Sequence, residues 1–287
     1  MKDVRKVPAA AGAEWLLGGF RLLRQSPLGL GLLGAIYGAI ALLVPWSMGV
    51  SRTLFLVLEL LLLVLGPVLI GGLVYAARSV DGGGSAVPGQ LLQGLREGKV
   101  ARLLATLIPQ IAAVLVCALL LVLMIGADGL AQMAQTIERL QAQAKPDPAL
   151  VSALPLGRLM LWMLLVLVIG VITSFFTFIA VPEIMFTDSN ALDAMRRSFR
   201  ACVRNLPALI VFTVLTLIAV IAIYVAVMMV AVLVKLAAGE QAMQIVAQLL
   251  ATAILMPVLT GAMYHAWKQM LAGDGAAVTA TIAGFEA

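Results

Sequence analysis

Apolar residues in this chain run in long unbroken stretches, and polar residues gather in the short segments between them. Spanning a bilayer's hydrocarbon core takes roughly 20 apolar residues in a helix. Six stretches meet that length: Pro27–Trp46, Thr53–Ala76, Leu103–Gly126, Leu159–Val181, Pro207–Val234 and Ala242–Trp267. The pattern predicts an all-α, polytopic membrane protein of six transmembrane helices in three hairpins. The fifth stretch is longer than needed and should tilt or protrude. In the first, Gly34 and Gly38 form a pair that permits close helix approach, read as packing within one monomer.

The connecting segments carry a second pattern. Between Asn190 and Asn205, Leu192, Met195, Phe199 and Cys202 recur on one helical face. Asp193, Arg196, Arg197, Arg200 and Arg204 recur on another. Asn190 is placed to cap this helix with Asp193 three residues on, and Pro207 opens the next one. Segment 13–25 repeats the design, with Leu16, Phe20 and Leu23 opposite Glu14, Arg21 and Arg24, and Pro27 following. A middle copy, 90–102, carries Arg96 and Lys99 and is weakened by Gly94 and Gly98. Each hairpin is thus expected to follow a basic amphipathic interfacial helix.

The likeness extends to identity. Phe20-Arg21 with Arg24 and Pro27 parallels Phe199-Arg200 with Arg204 and Pro207, with one residue inserted. Pro67-Val68-Leu69 with Gly71 and Arg78 parallels Pro257-Val258-Leu259 with Gly261 and Lys268. An internal repeat follows, 13–80 and 190–270, with a weaker copy over 88–182. All copies start on one side, unlike the inverted repeats of many transporters. The expected organisation is one transmembrane domain, 1–272, and a short disordered tail, 273–287. The sizeable segment on the other side, 127–157, holds a predicted amphipathic helix, 129–144, ended by Lys145-Pro146-Asp147-Pro148.

Composition agrees with lipid as the solvent: 63% of residues are hydrophobic and 11% charged, against about half and a quarter in soluble domains. The net charge of +5 matters through its placement. With the N-terminus inside, 14 Lys and Arg fall in cytoplasmic segments and 5 on the far side, a positive-inside distribution that puts both termini in the cytoplasm. The scattering of basic residues between spans argues against nucleic-acid binding. The N-terminal stretch carries Glu14, Arg21 and Arg24 where a signal peptide needs a clean apolar core. Cys117 sits in a span and Cys202 in a basic segment, so no disulfide is expected, and one histidine with two separated cysteines predicts no metal site.

Two places could carry chemistry. Glu59 stands inside an apolar run, where a charge costs roughly 2.5–3.5 kcal/mol at mid-membrane. It reads either as a proton or cation site, as a protonated or hydrogen-bonded glutamate facing neighbouring helices, or as one that reaches the outer surface near Arg52. The turn after the fourth span, with Pro182, Glu183, Asp188 and Asp193, precedes the arginine-rich helix. It reads either as a contact for anionic headgroups or as capping and ion pairing. The wider set of headgroup contacts would be Arg21, Arg24, Arg96, Lys99, Arg196, Arg197, Arg200 and Arg204. His265, between Tyr264 and Trp267, reads as part of an interfacial anchor. No nucleophile elbow, phosphate loop or zincin motif occurs, and Asp81-Gly82-Gly83-Gly84-Ser85 reads as a linker.

The run Phe178-Ile179-Ala180-Val181-Pro182, with Asp188, Ala191, Ala194, Ser198, Phe199 and Asn205 after it and Val7-Pro8 and Trp15 before it, resembles a proteobacterial family of integral inner-membrane proteins with about six spans. More loosely, it is similar to the membrane region of membrane-bound glycerophosphodiester phosphodiesterases. The resemblance implies a bacterial inner-membrane location and no activity, since the catalytic phosphodiesterase domain is not in this sequence. The expected function is non-enzymatic: organising membrane lipid, through anionic headgroups on the cytoplasmic side, or a protein partner, either a second copy or another membrane protein. The alternative is a small transporter using Glu59. No cofactor is expected.

Overall fold

A computed structural model describes residues 4–141 and 155–272. The proposed terminators of the external helix, Lys145–Pro148, and the tail 273–287 lie outside the described residues. Every element is helical. In order they are α1 (Ala11–Gln25), α2 (Pro27–Met48), α3 (Arg52–Asp81), a 3-10 turn (Pro88–Leu92), α4 (Gln93–Arg96), α5 (Val100–Leu104), a second 3-10 turn (Ala105–Leu107), α6 (Ile108–Ile125), α7 (Ala127–Gln141), α8 (Leu156–Thr177), α9 (Ala180–Phe186), α10 (Ala191–Arg204) and α11 (Leu206–Trp267), which runs into a final π turn (Lys268–Ala272). Five helical segments are long and apolar enough to cross a membrane. Leucines and valines along them, such as Leu60, Leu115, Leu164 and Leu217, are exposed, as side chains facing acyl tails would be.

The count is five because the fifth and sixth predicted spans run together in α11. Unbroken, its 62 residues would stretch about 90 Å at ~1.5 Å each. The helix is interrupted at Gly239, whose φ of 87° and ψ of −179° fall in a region essentially confined to glycine. Val227 and Ala231, before the break, share a buried cluster with Ala247 after it, and Met243 and Leu250 pack against that cluster. Sixteen residues of straight helix would hold Ala231 and Ala247 about 24 Å apart, so the chain turns back at Gly239.

Two compact units are distinguishable. In the smaller, Leu107–Phe175, Gly126 turns the chain between α6 and α7 with φ 81°. Trp162 Nε1 donates to the Cys117 carbonyl at 2.9 Å and Arg158 to that of Met124 at 3.2 Å, joining α8 to α6. The expected amphipathic helix of this region is present as α7.

The larger unit comprises the chain before Leu107 and after Phe175. Its core is the crossing of α1 over α11. A side chain at Gly12 would meet the Ala208 carbonyl at 2.1 Å, and one at Gly19 would meet that of Val258 at 2.1 Å. One short helix thus touches both ends of α11. Trp15, Leu16 and Leu22 of α1 are buried, so its apolar face is spent on protein. Gly34 and Gly38 of α2 face Thr252 of α11 in the same manner, an intramolecular contact. The middle basic segment is broken into the turn at 88–92, α4 and α5, with Gly98 at φ 64° between the last two. Asn190 caps α10 as its sequence predicts: its side chain accepts from the Asp193 N–H at 2.8 Å and donates to the Asp193 carboxylate at 2.8 Å.

Overpacking a core costs about 1–3 kcal/mol where side chains can yield, and at Gly19 the obstacle is backbone. Gly19→Val should therefore lower the thermal midpoint of the detergent-solubilised protein by at least that equivalent. Gly66→Ala, which meets nothing within 4 Å, should leave it unchanged or slightly raised. Equal midpoints would mean α1 does not lie this close.

Candidate functional site

Ionic groups of the larger unit converge where α3, α9, α10 and α11 end or begin. The seven-residue helix α9 carries Glu183 inward, 1% exposed. Its Oε1 accepts from the guanidinium of Arg197 on α10 and from Ser189 Oγ at 3.2 Å. Its Oε2 accepts from Trp267 Nε1 at 2.6 Å. A carboxylate out of water costs several kcal/mol, which only close countercharge and further hydrogen bonds offset. Glu183 has both, supplied from two other helices. Its chemistry is that of a clasp holding α9, α10 and the end of α11 together.

A second carboxylate lies nearby. Asp81, the last residue of α3, accepts from Lys268 Nζ at 2.7 Å and Tyr264 Oη at 3.0 Å, with Arg21 3.9 Å away. Aromatic rings fill the space between the two clusters. Phe186 lies 5.0 Å from the Trp267 ring and 5.9 Å from that of Tyr264, and the Arg78 guanidinium sits 4.6 Å over Phe186.

The residues singled out in the sequence divide into two groups. Pro182 is buried beside Glu183. Lys99 is drawn inward, donating to the Met185 carbonyl at 2.6 Å and pairing with Glu97 at 2.8 Å. Burial pushes the Glu97 carboxyl up, but hydrogen bonds from Lys99 and Gln93 outweigh it and hold it below the ordinary glutamate value. Arg197 is committed to Glu183, and Arg204 donates to the Val4 carbonyl at 2.8 Å. Against these, Arg21, Arg24, Arg96, Arg196, Arg200 and Asp188 are exposed. Asp193 serves the α10 cap and stands 3.9 Å from Arg196.

Glu59 stands apart from all of them. It is exposed on α3 among exposed leucines, Leu56, Leu60 and Leu63, and among the described residues nothing hydrogen-bonds it. About 10 Å of helix separates it from Arg52. The structure therefore does not bring Glu59 to the ionic cluster, while Glu183, from the turn, forms its centre. Asp81 was hidden inside a glycine-rich run read as a linker. One signal pointed to Glu183. Pro67-Val68 in α3 and Pro257-Val258 in α11 are buried pairs, and Pro182-Glu183 is likewise a buried proline-led pair, with an acid in the second place.

Among the described residues no three of His, Cys, Asp and Glu gather to hold a metal. Cys202 is buried in α10, and burial pushes its thiol up to about 12 against a hydrogen bond with Ser198 that lowers it. The profile of a domain of unknown function (DUF7847) matches residues 13–270. No curated protein and no solved structure matches the chain.

Removing one partner of a buried ion pair costs about 3–5 kcal/mol, whereas replacing both with well-packed neutral groups is far milder. Arg197→Ala should be severely destabilising, and Glu183→Gln with Arg197→Met should recover most of the loss, as read by thermal unfolding of the full chain in detergent. A thiol with a pKa near 12 is about one part in ten thousand thiolate at pH 8. Cys202 should therefore resist maleimide in the folded protein and react once the protein is denatured; rapid labelling of the native chain would show that α10 is not seated on the bundle.

Proposed function

The chain belongs to the DUF7847 family, and we propose that it is a non-enzymatic, six-span integral membrane protein that gathers anionic lipid headgroups on its cytoplasmic face. In this reading the two limbs of α11 each cross the membrane, the six spans form three hairpins, both termini face the cytoplasm, and the location is a bacterial inner membrane. The basic residues of the connecting segments support that orientation.

One observation carries the lipid reading: at the ionic end of the larger unit two enclosed acids are neutralised internally, while five arginines stay exposed alongside the exposed Asp188 and Asp193. Glu183 and Asp81 are neutralised within the protein, while Arg21, Arg24, Arg96, Arg196 and Arg200 stay exposed. In this reading the exposed cations make up a collar at the height of the headgroup phosphates, and each gains about 1 kcal/mol near an anionic leaflet. The transport reading has no comparable support, since Glu59 projects from the exposed side of α3.

Packing also supports the repeat. Each basic entry segment rests on a return limb. Gly72 of α3 faces the Leu91 carbonyl of the middle segment. Just before α9, the Ile179 N–H donates to Ser198 Oγ of α10 at 3.2 Å. On α11, Gly261 lies against Gly19 of α1. The entry helix of one copy covers the return limb of another in all three cases.

Replacing Arg24, Arg196 and Arg200 with Gln removes three exposed charges, about 3 kcal/mol of attraction, or roughly a hundredfold in partitioning. Phosphatidylglycerol retained on detergent extraction should fall steeply relative to phosphatidylcholine, and more so at low salt. Retention unchanged from the native chain would remove the lipid reading.

A further inference from the structure

Beside the collar lies a more confined basic feature that the clasp does not use. Residues 4–8 run as a strap over the junction of α1 and the end of α11. The Arg5 N–H donates to the Met270 carbonyl at 3.0 Å. Asn205 fastens the strap at two points, accepting from the Val7 N–H at 2.8 Å and donating to the Arg5 carbonyl at 3.0 Å. Between strap and helices is a groove of about 500 Å³. Arg5, Lys6 and Arg21 form its exposed rim, Lys268 one wall, and buried Ala11 and His265 its floor. Among the described residues Glu14 is the one acid lining it, and its carboxylate accepts from Gln269 Nε2 at 3.0 Å.

The geometry points to a binding site in this groove for a phosphate-bearing anion of headgroup size. Four cations converge on the groove from three separate elements, against Glu14 on its wall and Asp81 behind Lys268 and Arg21. Among the described residues the lining carries more positive than negative groups, and the mixture of two guanidinium groups and two ammonium groups suits phosphate oxygens. The floor supplies a reporter. His265 is 9% exposed, and its ring packs against Gly18 of α1, so its Nε2 is enclosed rather than open to the groove and the imidazole senses charge brought into the groove from beneath it. A volume of 500 Å³ lies within the range of small-ligand sites, about 300–1,000 Å³. The phosphate group could come from an anionic phospholipid or from a soluble phosphate ester. The lipid source rests on the membrane reading above; the site itself does not.

His265 is the chain's single histidine, so ¹⁵N-histidine labelling of the tag-free, detergent-solubilised full chain gives one imidazole to observe. Inorganic phosphate and short-chain phosphatidylglycerol should each shift its resonances saturably, with short-chain phosphatidylcholine as the zwitterionic control. Lys6→Gln with Arg21→Gln, both on the exposed rim, should weaken the effect at least tenfold. The triple replacement of Arg24, Arg196 and Arg200 should leave it intact. A shift with both anions assigns the site to a headgroup, and one with inorganic phosphate alone keeps the site and assigns it to a soluble ester. No shift with either anion, or a shift indifferent to Lys6→Gln and Arg21→Gln, would overturn the proposal. If that failure came with lipid retention still lost in the triple variant, the groove would fall and the collar would stand.

Discussion

A carboxylate carried out of water must bring its countercharge with it, and that constraint organises the ionic end of this molecule. Glu183 is nearly inaccessible, so Arg197, Ser189 and Trp267 have to reach it from α10, the preceding turn and the far end of α11. Asp81 imposes the same demand on Tyr264 and Lys268. Because Trp267, Tyr264 and Lys268 occupy a single helical turn, the two demands fix the end of α11 against α3 and α9 at once. The aromatic rings between them exclude water and so strengthen both pairs.

The second requirement is close approach of backbones. Lipid tails are as apolar as leucine, so helices in a bilayer are drawn together by packing rather than by escape from water. Gly12 and Gly19 let α1 lie directly on the carbonyls of α11, and that contact brings the entry helix, the strap and the basic groove to the same place. Neutralising Glu183 and Asp81 inside while Arg21, Arg24, Arg96, Arg196 and Arg200 stay exposed then tilts the charge of the surface toward positive. The fold and the electrostatics are consequences of one arrangement.

Much of this was legible in the sequence. The apolar runs, the prolines that open α2 and α11, the Asn190 cap and the Gly34–Gly38 contact all depend on local pattern, and local pattern is what a sequence displays. Other features were not legible because they are decided by distant residues. Glu59 looked more buried than Glu183 because it falls inside a predicted span, whereas Glu183 falls just past the end of one, yet the neighbours of Glu59 are themselves exposed. The neighbours of Glu183, Val181, Pro182, Ile184 and Met185, are buried among helices. The return of α11 was legible as the gap between the fifth and sixth apolar stretches; what was not is that helix continues up to Gly239 on both sides, with Lys235 and Glu240 pairing across the break at 2.5 Å. The groove draws on residues near both ends of the chain, which no window of sequence joins.

The central claim is that one face of the membrane holds the arginine collar and the other holds the reversals. In a chain freed of Cys117 and Cys202, single cysteines placed at Arg24, Arg96, Arg200, Ser51 and Gly239 can be labelled with a membrane-impermeant maleimide in vesicles of known orientation. The account predicts that the three arginine positions label only from the cytoplasmic side, and Ser51 and Gly239 only from the opposite side. Labelling of Gly239 from the same side as Arg200 would contradict it, because the two limbs of α11 would then not cross the membrane as a hairpin.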